Sequence, residues 1–285
     1  MNPLARAGTA LRKLALSLGV GRGAAWRANQ AYVDAAPSLQ QTVDLFKGDW
    51  ASILPLPGVV SGGSDLFNDE RLRWMLDRLG PVRGFEVLEL GPLEGGHSWM
   101  LEQAGASVTA IEGNRTAFLK CLLVKQLLGM ARTEFLLGDF DRFLESADRR
   151  WDLLVASGVL YHLADPLRTL IEMTRVADRL FIWSHFADAD AMPAGDPRRR
   201  PFTGEVRTAE HRGERMTYHV RSYLGTHRMS AFCGGRESAA VWMESAELVA
   251  FLERRGYRVE RGPALPDHPS GPALCLLAVR EGAGR

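Results

Sequence analysis

The sequence predicts an α/β fold: a doubly wound, seven-stranded, mostly parallel sheet with a C-terminal antiparallel hairpin, a helical N-terminal extension and an insertion after the fifth strand. Three observations predict it. Short apolar runs alternate with helix-length segments from residue 85 to about 186, the pattern of a parallel sheet covered on both faces. A glycine-rich stretch, "GPLEGG" (Gly91 to Gly96), follows the first run where such a sheet carries its ligand loop. The alternation then stops over residues 186–244, a gap too long for a plain connection and therefore an inserted, substrate-facing segment.

Residues 1–65 form the extension, read as helices broken near "GVGRG" and followed by the Pro- and Gly-rich "LPLPGVVSGGSD". Leu4, Leu11, Leu14, Leu16 and Leu18 suit an amphipathic helix packed on the rest of the protein. Residues 66–285 form the main domain. Asp65 is placed to cap a helix bearing Leu66, Phe67, Leu72, Met75, Leu76 and Leu79, which Gly80 and Pro81 end. "FEVLEL" (Phe85 to Leu90) is the first strand, followed by a helix around Ser98 to Ala104. "SVTAIE" (Ser107 to Glu112) is the second, with a helix from Arg115 to Leu128. "TEFLLGD", "WDLLVAS" and "DRLFIWSHF" are the third to fifth, with a helix at Pro166 to Val176 between the last two. After the insertion, a helix over Ser245 to Gly256 leads into "YRVERG" and "ALCLLAVR", the closing hairpin.

Composition narrows the partner. With 285 residues, 46% of them hydrophobic, the chain can bury a sizeable core, and a net charge of +1 supplies no broad basic field for nucleic acid. A small-molecule partner is expected instead. The three cysteines, Cys121, Cys233 and Cys275, are far apart and form no CxxC pair, which fits a reducing compartment. No apolar run reaches the roughly 18 residues of a membrane span. The N-terminus is basic and lacks acidic residues before Asp34, as transit peptides do, but the amphipathic helix is the reading adopted, and with it a cytoplasmic location. A homodimer is compatible with the sequence.

The loop identifies a class of ligand. Gly91 and Gly95 let the backbone pass close under it, Gly96 lets the helix start tightly, and Glu112, about 20 residues on, ends the second strand where an acidic side chain accepts ribose hydroxyls. A dinucleotide loop would carry GxGxxG and put phosphates on the helix N-terminus. Here Leu93 replaces the middle glycine and Glu89 and Glu94 flank the turn, which suits a ligand with an amino group and a positive sulfur, S-adenosyl-L-methionine (SAM).

On "ELGPLEG", "AIEGN", "LLGDF" and "LLVASGVLYHL", in that order, the chain resembles the class I SAM-dependent methyltransferases, whose Rossmann-like sheet is the fold predicted here. The likeness covers Phe85 to about Phe186 and departs from the family's E/DxGxGxG loop at Leu93. It implies that Glu89 and Gly91 hold the methionine portion, Glu112 the ribose and Asp139 the adenine amino group. Pro92, Gly95, Gly113, Phe140, Ser157 and Gly158 complete the implied cofactor contacts. "FKGDW", "ASGVLYHLADP" and "FCGG" also resemble a subgroup of bacterial methyltransferases. "GVLYH" is similar to the carboxy-SAM-dependent tRNA carboxymethyltransferases, which leaves tRNA modification as an alternative; a SAM-binding regulator without turnover is another.

Transfer to oxygen or nitrogen of a small-molecule acceptor requires a base when the acceptor holds a proton. Tyr161 and His162 after the fourth strand, and His185 after the fifth, reach the carboxyl end of the sheet where ligands bind. Each is a catalytic candidate; a helix-start histidine bonded to backbone is the bland alternative for His162. Tyr218, Tyr223, His227 and Arg221 are candidates for substrate contacts, and the many arginines of the insertion would suit a phosphorylated or carboxylated acceptor. His185, Asp188 and Asp190 suggest a metal site, but flexible surface carboxylates explain them as simply, and no metal is expected.

Overall fold

The computed structural model describes residues 32–224, 234–235 and 237–283. The amphipathic N-terminal segment, His227, Phe232 and Cys233 lie outside the described residues. The chain divides into two compact units, Met1–Thr42 and Val43–Arg285. The second unit therefore begins well before residue 66, and the stretch from Val43 to Asp65 belongs to it. The first described helix is α1 (Leu39–Val43).

The main sheet consists of β1 (Glu86–Leu90), β2 (Ser107–Glu112), β3 (Thr133–Leu137), β4 (Leu153–Ser157), β5 (Arg179–His185), β9 (Tyr257–Leu265) and β10 (Ala273–Arg280), in the spatial order β3-β2-β1-β4-β5-β10-β9. β1 to β5 pair in parallel, and β10 runs antiparallel to both β5 and β9, forming the expected C-terminal hairpin. The order reverses between β1 and β4, which opens a crevice at their carboxyl ends.

Strand alternation explains the near-continuous apolar runs. Leu88, Leu90, Leu154, Ala156, Leu180 and Ile182 face one core, with α5 (Phe140–Ser146), α6 (Pro166–Val176) and α7 (Ser245–Arg254) packed on it. Val87, Val108, Ala110, Leu153, Val155 and Phe181 face the other, under α2 (Glu70–Leu79), α3 (Gly96–Gln103) and α4 (Arg115–Leu128). A sheet buried on both faces has no polar side to alternate with.

Three local readings change. Asp65 precedes a 3-10 turn, Leu66–Asn68; the helix cap is Asp69, whose carboxylate accepts from Arg71 N at 2.8 Å. Helix α5, absent from the sequence reading, starts at Asp139, which caps it by accepting from Asp141 N at 2.9 Å. The insertion is regular: β6 (Phe202–His211), β7 (Glu214–Ser222) and β8 (Ala239–Trp242) form a separate antiparallel sheet, β6-β7-β8. β6 is exposed along almost its whole length, so no apolar alternation marks it. Among the described residues no helix is long and apolar enough to cross a membrane.

Candidate functional site

The loop after β1 is held in a left-handed path by the end of β2. Gly91 (φ 63°) and Gly95 (φ 78°) take the conformation that favours glycine, and so does Leu93 (φ 56°), although its Cβ makes that conformation unfavourable. The backbone thus keeps the turn that a middle glycine would make. Leu93 N–H donates to Glu112 Oε2 at 3.1 Å, and Asn114 N–H donates to Glu112 Oε1 at 2.7 Å. From below, the buried Cys121 thiol donates to Leu93 O at 3.4 Å.

Glu89, Glu94 and Glu112 are all buried, with different employment. Glu94 accepts from Ala51 N (3.0 Å), Ser52 N (2.8 Å) and Lys120 Nζ (2.8 Å), so it ties the segment before α2 to the loop. Three donors thus already engage the carboxylate that the sequence places beside the ligand's amino group. Glu89, 2% exposed, accepts from Ser98 Oγ and has His97 Nδ1 3.9 Å away. Burial pushes its carboxyl up from the ordinary value, with His97 and Ser98 opposing. Burial does the same for Glu112 against the backbone donors, and Glu89 adds to the rise. Two desolvated carboxylates thus share the carboxyl ends of adjacent strands, where a cationic ligand would stabilise both and a phosphate would be repelled.

The remaining implied cofactor residues adjoin this pair. Gly113 and Gly138 meet where Gly138 N donates to Glu112 O at 2.9 Å, which puts Asp139 and Phe140 beside the end of β2. Asp139 uses Oδ1 to cap α5. On the other side, a Cβ on Gly91 would lie 3.1 Å from Val159, so the β1 and β4 loops touch, and Gly158 N donates to Trp183 O at 2.9 Å beside Ser157. Pro92 N has no proton; its carbonyl accepts from Gly95 N at 2.8 Å and closes the turn.

A polar network that the sequence reading missed stands behind the loop. Asp69 accepts from Arg71 and from His97 Nε2, the latter at 2.9 Å. Burial pushes the Asp69 carboxyl up, but the hydrogen bonds from His97 and Arg71 outweigh it and hold the group well below the usual carboxylate range. The Arg71 guanidinium lies 4.1 Å over the Trp183 ring. The available signal was "GGHS", a histidine at the second position of the helix after the glycine loop.

Tyr161, His162 and His185 come together as expected, within an aromatic cluster. Tyr161 meets His185 edge-on (centroids 4.7 Å) and Trp183 (5.8 Å), and His185 stacks on Trp242 at 5.1 Å with the rings 7° apart. His162 Nδ1 is hydrogen-bonded to Tyr223 Oη at 3.0 Å, and Gly235 N donates to the same oxygen at 3.0 Å. Only glycine fits at Gly235, because a Cβ there would sit 2.1 Å from the His162 carbonyl oxygen. Tyr223 is therefore a support for His162 rather than an evident substrate contact. His185 donates through Nδ1 to Gly271 O at 2.8 Å.

Tyr218 is a correction. It is 1% exposed, donates to Asp165 Oδ1 at 2.7 Å and accepts from Leu167 N at 2.8 Å, which pins β7 to the start of α6 and leaves nothing for a substrate. Arg221 lies in the cluster, its guanidinium 4.5 Å over Trp242. Asp188 accepts from Asp190 N and Ala191 N, both at 2.9 Å, and among the described residues no three His, Cys, Asp or Glu side chains gather as a metal site.

Residues 88–179 match the family model of the methyltransferase domain. The seven-stranded sheet has the Rossmann-like methyltransferase fold, with the β6-β7-β8 sheet added after β5. The N-terminal domain of EvdMO1, crystallised in the presence of S-adenosylhomocysteine (SAH) and D-fucose, shares the fold with a TM-score of 0.64 and 19% identity, over 85% of this chain and 96% of that one. Of the full-length EvdMO1 chain the match covers 47%. Magnesium protoporphyrin IX methyltransferase (ChlM) from Synechocystis PCC 6803, with bound SAM, is similar with a TM-score of 0.51 and 17% identity, over 87% of this chain and 100% of that one. No curated protein matches the sequence.

Burial, with smaller contributions from neighbouring charge, lowers His162 and His185 to about 4, so both are neutral at pH 7. The unfolded chain binds these protons near pH 6.5, so native stability must fall as pH drops from 6.5 toward 4, by up to about 1.4 kcal/mol per pH unit for each histidine. Urea unfolding at pH 7, 6 and 5 should show that slope, and His185→Asn should remove roughly half of it.

Proposed function

We propose that the chain is a SAM-dependent methyltransferase that transfers a methyl group to an oxygen or nitrogen of a small-molecule acceptor. The observation that carries the cofactor reading is the pair of buried carboxylates, Glu89 and Glu112, on either side of the left-handed Gly91–Gly95 turn. SAM carries one ammonium and one sulfonium charge, which complement two desolvated carboxylates better than any phosphate-bearing ligand does. The Glu112 carboxylate accepts backbone N–H groups of Leu93, Gly113 and Asn114 and, with about four acceptor sites, keeps room for a ribose hydroxyl. Bound SAM supplies a methyl group already activated for displacement on a cationic sulfur.

The chain's own task is then to hold the acceptor in line, exclude water and take up its proton. Tyr161, Trp183 and His185, backed by the buried Trp242, wall the carboxyl ends of β4 and β5 with aromatic rings, which suits a compact organic acceptor. His162 is the base in this reading. It is neutral at pH 7, its ring is fixed through Nδ1 by Tyr223, and it follows β4 directly. The near-neutral net charge weighs against tRNA as the acceptor.

Two measurements test this reading. Calorimetry with purified protein should show SAH binding, and Glu112→Gln should weaken it roughly tenfold or more by giving up a charge-assisted acceptor; a wild-type protein that binds neither SAM nor SAH contradicts the proposal. In an SAH-release assay over a library of small hydroxy and amino compounds, His162→Asn should lower kcat on the order of 10²-fold or more with SAH affinity kept. Unchanged turnover would return His162 to the polar edge of a packed turn.

A further inference from the structure

Arg221 is the last residue but one of β7, opposite Phe202 of β6 and Ala240 of β8. Its guanidinium covers Trp242, whose ring stacks on His185. Arg71, the other guanidinium of this aromatic cluster, is ion-paired with Asp69. Arg221 has no carboxylate within 4.0 Å among the described residues, and its Nε is buried without a hydrogen-bond partner. Burial depresses its pKa, the direction expected of a cation without a counterion.

Arg221 Nε is not the only unmatched group there. Seven buried side-chain polar atoms lack a partner among the described residues, and four of them belong to this one neighbourhood: Ser157 Oγ, Trp183 Nε1, Arg221 Nε and Trp242 Nε1. Ser157 and Trp183 are register partners on β4 and β5, and Trp183 and Trp242 both contact His185. Indole and guanidinium nitrogens only donate, so the groups left over call for acceptor oxygens. Unsatisfied donors gathered on a half-buried cation are otherwise costly, and a folded protein keeps such a set where a ligand completes it.

We propose that Arg221 is the anchor for an anionic group, a carboxylate or a phosphate, on the methyl acceptor, whose body lies beside Tyr161. The role of the ligand as acceptor rests on the methyltransferase reading; the anion site itself does not. A guanidinium presents a planar fork that matches either oxyanion bidentately. An anion there also offsets the charge that helps to keep His162 weakly basic, so the substrate would strengthen its own base.

The test uses the full chain and three small probes, benzoate, phenyl phosphate and the neutral benzamide, titrated by saturation-transfer NMR with and without saturating SAH. At least one anion should bind ten times or more tighter than benzamide, and whichever anion is preferred names the group. Arg221→Met should erase that preference, keep SAH affinity within twofold, and unfold at no lower temperature than the wild type, because it keeps the apolar packing and removes an unpaired charge. Three results overturn the proposal: equal binding of benzamide and the anions, an anion preference that survives Arg221→Met, or loss of SAH by that variant, which would put the anion on the cofactor. A wild-type protein that shows the preference but no SAH binding would instead sink the methyltransferase reading and leave the anion site standing.

Discussion

The carboxylate of Glu112 is the constraint on which the site depends. It closes the end of β2 onto the loop after β1 by accepting Leu93 N–H and Asn114 N–H. A left-handed leucine costs roughly 1–2 kcal/mol, and a hydrogen bond to a charged group returns about 1.5–3 kcal/mol, so the bond outweighs the strain. The same carboxylate thus shapes the turn and offers its spare acceptor sites to a ligand. Burial raises its pKa and leaves it in need of positive charge, and among the described residues no cation lies at hydrogen-bond range.

Around this centre, segments outside the alternating core immobilise the reacting end. Glu94 fastens the chain at Ala51 and Ser52 to the loop through backbone donors, and Lys120 neutralises it. On the far side, the small sheet contributes Tyr218 as a pin to α6 and Tyr223 as a support for His162. An aromatic wall of Trp183, His185 and Trp242 fills the space between.

Much of this was legible in the sequence, for identifiable reasons. β1 to β5, α4 and α6 are marked by apolar runs and by Asn114 and Pro166 at helix starts, signals that act over a few residues. Glu89, Glu112 and the Tyr161–His162 pair followed from their places at strand ends. What escaped depends on partners distant in sequence. The exposed β6 carries no periodicity, and Asp69 displaces Asp65 as the cap because the intervening residues take a 3-10 turn. The burial of Tyr218 and the donors on Glu94 reflect bonds to residues 26 to 53 positions away. No local pattern encodes them.

A crystal structure of the chain with SAH tests the central claim most directly. The account predicts both ribose hydroxyls on the Glu112 carboxylate, with Leu93 still at positive φ and still donating to Oε2. Ribose bound away from Glu112, or a loop that flips out of the left-handed path to admit the ligand, would contradict it.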